Sequence, residues 1–328
     1  MRFATSDLFW QPNLVPPITS VEAALTYKSR LEALAPNVKF LMSLYLHPSI
    51  TPSTIRAAKA AGITGVKSYP AGVTTNSTSG VVDYESFYPT FAAMEEAGDM
   101  VLNLHGESPS GEDITVLNAE ERFLPTLLDL HSRFPKLPVI LEHCTTAEAI
   151  ETVASCGPTV GATITPHHMF LTIDDVVGDP MHFCKPVAKS GSDRLALIRA
   201  AVSGNPKFFL GTDSAPHPLQ AKRGGAEDVL GKCAAGIFSQ PYATQLVLEA
   251  LEQAVEEGHL IRSDVSEELL RKFLTENGRK FYGEANSKET IRIVSREERV
   301  MKQLQFGPDQ DVIIPFRRGE PIYSIEWM

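Results

Sequence analysis

A chain of 328 residues with 43% apolar and 21% charged residues suits one large α/β barrel or two ordinary domains of a soluble globular protein. Its net charge of −10, with no clustering of Lys and Arg, argues against nucleic acid or an anionic membrane as the main partner. An anionic substrate would have to be held by local groups against that overall field. Cys144, Cys156, Cys184 and Cys233 form no C-x-x-C pair, which fits reduced thiols in a cytoplasmic protein. No run reaches the length of a membrane span, and the first ten residues lack the apolar core of a secretory signal.

The N-terminal ten residues are weakly patterned, with one apolar triplet at 8–10 and a possible strand ending at Gln11. Pro12, Pro16 and Pro17 bar helix from 11–17. Ser20 caps a helix running to about Leu34, with Glu22 and Glu32 on its wet face and Ala23, Leu25 and Leu31 inward. A strand follows at 38–46, then a helix from Thr51 with Pro52 in its first turn and Gly62 closing it. From there strands at 63–67, 100–105, 138–143, 159–165 and 207–212 alternate with helices at 84–97, 118–134, 146–156 and 192–203. Helices at 242–257 and 265–277 come next, and the tail from 287 holds β-like pieces (TIRIVS, DVIIPF, YSIEWM) expected to pack on the outside.

Strands alternating with helices at this spacing predict a parallel sheet, and strands apolar throughout predict that both its faces are covered. The count is seven strands, one short of a (β/α)8 TIM-like barrel. The expected organisation is an incomplete barrel over 1–286, lacking its first strand, with a β-like extension over 287–328. A seven-stranded open sheet is the alternative.

Four residues sit at the C-terminal ends of apolar runs, where such a barrel keeps its chemistry. Lys67 lies in GVKSYPAGVTTNS, and burial there strips hydration from its ammonium, lowers its pKa and leaves an amine able to attack small electrophiles such as CO2. His105 (LHGE) and His143 (LEHCTT) follow successive strands, and Asp213 (GTDSAPHP) follows a later one. Imidazole and carboxylate are ordinary zinc ligands, and a site with open positions activates water. The competing reading of Asp213 is a helix N-cap. His217, four residues on, is placed to reach a substrate carboxylate. His167 and His168 (TPHHMF) point different ways, so at most one is expected to reach the site, and neither is taken as a ligand. His47, His131, His182 and His259 read as surface or packing residues. The Gly-rich stretch 223–236 lacks the form of a phosphate-binding loop and reads as a mobile loop whose amides touch substrate.

Taken together, PNLVPP, GVKSYPAGVTTNS, LNLHGE, ILEHCTT, ITPHH, FCKPVAK and GTDSAPHP resemble the dihydroorotase family, in the homodimeric and fungal branch of the amidohydrolase superfamily, from about Pro12 to the C-terminus. The resemblance implies a distorted (β/α)8 barrel of the metal-dependent hydrolase type. It also implies two zinc ions bridged by a carboxylated lysine and a hydroxide, and a cytoplasmic homodimer. The implied reaction interconverts dihydroorotate and N-carbamoyl-L-aspartate in pyrimidine (UMP) biosynthesis. Residue by residue it implies Lys67 as the carboxylated bridge, His105 and His143 as ligands of the second metal, and Asp213 as a ligand of the first metal and the general base and acid. Asn13 and His217 match substrate-binding positions; Lys185, Ala235 and Gly236 fall where backbone groups meet the pyrimidine ring. Thr74 and Thr75 match a loop that closes over substrate. The family's His-x-His-x-Arg motif occurs nowhere in the 328 residues. A truncated chain that holds at most one zinc well, with little or no activity, is therefore expected. The alternatives are a hydantoinase or dihydropyrimidinase relative, and a non-catalytic partner of a full-length enzyme.

Overall fold

The computed structural model describes residues 7–224, 233–287, 289–308 and 310–328. Seven parallel strands form one sheet in chain order: β1 (Asp7–Trp10), β2 (Lys39–Tyr45), β3 (Gly65–Ser68), β4 (Val101–His105), β5 (Val139–Glu142), β6 (Val160–Ile164) and β7 (Phe208–Leu210). Between them run α1 (Val21–Leu34), α2 (Pro52–Ala60), α3 (Tyr88–Ala97), α4 (Ala119–Arg133), α5 (Ala147–Ser155), α6 (Ile173–Gly178) and α7 (Gly191–Ala201). After β7 come α8 (Leu219–Lys222), α9 (Ala243–Glu256), α10 (Glu267–Arg271) and α11 (Asn277–Phe281). This is the α/β barrel architecture read from the sequence, with seven strands among the described residues and β1 and β7 at the two ends of the sheet.

Local chemistry sets the helix starts. Ser20 accepts from the Ala23 amide, and Thr51 and Thr54 form a reciprocal capping box with Pro52 in the first turn. Thr146 accepts from the Ala149 amide, and Ser190 forms a capping box with Asp193. Gly98 ends α3 in the left-handed conformation, as a glycine stop should. Every residue of β3, β4, β5 and β6 is buried, which is why these strands read as unbroken apolar runs interrupted by chemically useful residues.

Three details differ from the sequence reading. On α1, Ala23 and Leu25 are exposed, and the stripe that packs inward holds Ala24 and Leu31, two turns apart. The helix expected over 265–277 is instead α10 and α11 joined by a π-helical turn, Lys272–Glu276. The buried Asn277 side chain donates to the Phe208 carbonyl at 3.0 Å and so ties α11 to β7. The tail also holds a strand that the β-like pieces did not include. Its elements are β8 (Ile291–Arg299), β9 (Leu304–Phe306), β10 (Asp311–Ile313) and β11 (Pro321–Trp327), paired antiparallel as β8 with β11 and β9 with β10. Val300, Phe316 and Ile322 of this tail join Leu171, Cys184, Ala188, Ile237 and Leu246 in one apolar cluster. No helix among the described residues is long and apolar enough to cross a membrane.

Gly65 opens β3 two residues before Lys67, opposite Val101 of β4. A Cβ there would strike the Val101 carbonyl oxygen, a backbone atom that cannot yield without parting the two strands. Gly65→Ala is expected to destabilise the protein by about 1–3 kcal/mol, seen as a lower urea midpoint at unchanged slope.

Candidate metal and substrate site

Because the strands are parallel and in register, their C-terminal ends open on one side of the sheet. Lys67 is 1% exposed, its ammonium in contact with the Glu142 carboxylate and 5.1 Å from the centre of the Tyr69 ring. Glu142 also accepts from Asn103 Nδ2 at 3.0 Å and from Gln11 Nε2 at 3.1 Å, and Tyr69 donates to Gln11 Oε1 at 2.8 Å. His105 ends β4, and His143 directly follows β5; their rings meet edge to face at 4.7 Å. His105 Nε2 donates to Glu107 at 2.9 Å, and the His143 amide donates to Thr163 Oγ1 at 2.7 Å.

His143 and Asp213 both adopt positive φ, 47° and 42°. Non-glycine residues hold such angles at a cost of about 1–3 kcal/mol each, and sites of chemistry are where that cost is met. No helix begins at Asp213, so the N-cap reading of it fails. It lies three residues beyond β7, partly open to the mouth of the sheet while the surrounding protein strips most of its hydration.

Electrostatics suit the donor set. Burial drives Lys67 down to about 7 against the charge of Asp213, and drives Asp213 up to about 7 against the charge of Lys67. Glu142, in contact with Lys67, also opposes the loss of its proton. Burial holds His105 below the ordinary histidine range, opposed by Glu107, and holds His143 well below it. Both imidazoles are therefore neutral, the form that ligates metal. Burial would raise Glu107, but the hydrogen bond from His105 and the charges of Lys185 and Lys189 hold it low. A neutral imidazole donating to a carboxylate is the usual support of a metal-binding histidine. The His143 Nδ1 atom is buried without a partner among the described residues.

The expected substrate positions form a linked wall beside this centre. Asn13 Nδ2 donates to the Thr75 carbonyl at 3.3 Å, and Asn76 donates back to the Asn13 carbonyl at 2.9 Å. The Thr75 hydroxyl donates to the Ala235 carbonyl at 3.4 Å, and His217 Nε2 to the same oxygen at 3.0 Å. Thr74 is held by its amide on Ser77 Oγ at 2.9 Å. The Gly236 amide donates to the Phe183 carbonyl at 3.0 Å, two residues before Lys185. Of the Gly-rich stretch 223–236, residues 225–232 lie outside the described residues.

Among the described residues, one set of three His, Cys, Asp or Glu side chains brings its donor atoms within 4.8 Å of one another: His167, His168 and Cys184. Two of the three are already committed. His168 bonds Thr165 Oγ1 at 2.8 Å and the Pro186 carbonyl at 3.0 Å, and the Cys184 thiol donates to Pro186 at 3.3 Å. The third, His167, is buried with neither ring nitrogen hydrogen-bonded among the described residues. Sequence reasoning missed Glu142, Glu107, Gln11 and Lys222. Glu142 reaches Lys67 across β4 from 75 positions away, a separation that no local pattern encodes. Glu107 stood in LHGE, where a carboxylate two residues after a strand-end histidine was an available signal.

No protein-family model matches the chain. The chain is 55% identical over 277 residues to the probable dihydroorotase of Schizosaccharomyces pombe, covering 84% of this chain and 77% of that one. It is 45% identical over 343 residues to the dihydroorotase of Saccharomyces cerevisiae, covering 98% and 90%. The crystal structure of the Saccharomyces cerevisiae dihydroorotase in complex with 5-fluoroorotic acid superposes with a TM-score of 0.88 at 43% identity, over 98% of this chain and 90% of that one.

The turn after His143 is fastened by Glu120 of α4, which is fully buried and accepts from the Thr145 amide at 2.9 Å and the Thr146 hydroxyl at 2.6 Å. Burial raises its carboxyl to about 7, against the charge of Lys189 and those hydrogen bonds. The folded state therefore binds a proton that the unfolded chain has released above its ordinary value of 4.5. That contribution to stability is complete below about pH 4.5 and is lost as pH rises through about 7, by up to about 3 kcal/mol. Denaturant titrations across this window should show a shallower pH dependence for Glu120→Gln than for the unsubstituted protein.

Proposed function

Because the chain belongs to the dihydroorotase family, we infer that it acts on the cyclic amide bond of dihydroorotate, interconverting it with N-carbamoyl-L-aspartate in pyrimidine biosynthesis. The observation that supports this most is the gathering of Lys67, His105, His143 and Asp213 at one end of a parallel sheet. The neutral buried imidazoles, the unpartnered His143 Nδ1 and the lowered Lys67 amine fit a zinc centre. Lys67 as its carboxylate adduct, with His105 and His143, would hold one zinc, and Lys67 and Asp213 would face a second. Such a centre lowers the pKa of water and polarises the scissile carbonyl.

The remaining work falls to the chain's own groups. The Lys67 lone pair adds to the carbon of CO2 and the nitrogen sheds a proton, which turns a costly buried cation into a bridging carboxylate. Asp213, with a carboxyl raised to about 7, takes a proton from water and returns it to the departing ring nitrogen near neutral pH. Asn13 and His217 hold the substrate carboxylate. Backbone groups of Lys185, Ala235 and Gly236 read the ring, and the loop of Thr74 and Thr75 covers it. We assign residues 1–286 to the barrel and 287–328 to an extension, and place the protein in the cytoplasm as a homodimer, in keeping with its four free cysteines.

Zinc analysis and a substrate panel test this reading. The zinc-loaded 328-residue chain is expected to hold about one zinc, at Lys67, His105 and His143, since it contains no His-x-His-x-Arg motif. That zinc should be lost in His143→Asn and in Lys67→Ala. Slow hydrolysis of dihydroorotate, in preference to hydantoin and dihydrouracil, should disappear in Lys67→Ala. Preference for either neutral ring would favour a hydantoinase-like enzyme. Zinc and dihydroorotate binding with no turnover at all would mark a non-catalytic chain, and full zinc retention in Lys67→Ala would overturn the ligand assignment.

A further inference from the structure

Lys222 closes α8, yet its side chain is 4% exposed. Its ammonium donates to three main-chain carbonyls: Phe183 at 2.7 Å, Gly236 at 2.8 Å and Ala234 at 2.9 Å. An ammonium has three N–H groups, and here each has an acceptor. No carboxylate lies within ion-pair distance of it among the described residues. The Phe183 ring lies 5.9 Å from the ammonium as well. A buried cation held by peptide dipoles and a ring face survives because all its hydrogen bonds are made, and the three oxygens in turn depend on it.

The carbonyls belong to two segments remote in sequence. One is 183–185, which carries Lys185; the other is 234–236, which carries Ala235 and Gly236. The segments touch directly through the Gly236 amide on the Phe183 carbonyl. Gly236 has φ of +155°, and a Cβ there would press on the Ala215 carbonyl, so the backbone passes very close at this point. The Ala234 amide donates to the Ala221 carbonyl at 3.0 Å, the Cys233 thiol to the Lys222 carbonyl at 3.1 Å, and both His217 and Thr75 bond the Ala235 carbonyl. Lys222 is thus the knot from which the ring-reading wall of the pocket hangs.

We propose that Lys222 is a positioning residue that sets substrate affinity by clamping the Phe183–Lys185 and Ala234–Gly236 backbones together. The assignment of that wall to substrate rests on the dihydroorotase reading; the clamp itself does not. A planar guanidinium directs its N–H groups within one plane and cannot meet three carbonyls converging on a point, so Lys222→Arg should fail much as Lys222→Met does.

Two measurements on the zinc-loaded full chain test this. Hydrogen exchange in Lys222→Met should show lost protection of the Gly236 amide and of 183–185, with β3, β4 and β5 unchanged. Calorimetry should show dihydroorotate affinity reduced by at least about tenfold, with zinc content unchanged. Lys222→Cys should show the same defect, and aminoethylation, which restores an ammonium at nearly the same reach, should recover affinity, with the identically treated unsubstituted protein as control. Lys222→Gln replaces Lys222→Met if the latter does not fold. Retained Gly236 protection in the neutral variants overturns the clamp, and retained affinity overturns its role in binding. If the unsubstituted protein does not bind dihydroorotate, the family-level reading of the pocket falls, and exchange alone decides the clamp.

Discussion

Charge in a dry interior is the constraint on which this structure turns. Lys67 and Glu142 sit on strands whose every residue is buried, and neither is well hydrated. Left alone, either group would give up its charge. Together, with Asn103 and Gln11 satisfying the carboxylate, they form a polar floor under the open end of the sheet. The same physics brings Lys67 and Asp213 both to about 7 from opposite directions. Each group is thereby held far from its ordinary range by burial, against the pull of the other's charge.

Around this floor the protein repeats one device: a buried ionisable group whose hydrogen bonds fasten nearby backbone. Glu120 fastens the turn that follows His143, and Lys222 ties two loops into the wall that faces the site. Left-handed backbone at His143 and Asp213 is local strain held at the mouth-side ends of β5 and β7.

Much of this was legible without coordinates. The alternation of strands and helices, the caps at Ser20 and Thr51, the glycine stop at Gly98 and the four chemistry-bearing strand ends each follow from local rules, because periodicity and capping depend on neighbours within a few residues. Motif order then pointed to the dihydroorotase family, since those motifs hold the residues that face one another. The narrow buried stripe of α1 and the π-helical break before Asn277 were not legible. The first depends on which face the sheet offers, the second on a side chain from another element reaching the β7 backbone.

The sequence by itself determined the alternation of strands and helices, the parallel architecture and which side chains stand at the C-terminal strand ends. Those properties follow from hydrophobic period and from the single direction in which parallel strands run. Tertiary structure alone decided which charges meet: that Lys67 contacts Glu142, and that Lys222 spends its three donors on carbonyls from two other loops. Such partners lie up to 75 residues apart in these cases. Pairing of this kind depends on how strands and loops close in space, where the cost of leaving any buried donor or acceptor unmade selects one arrangement.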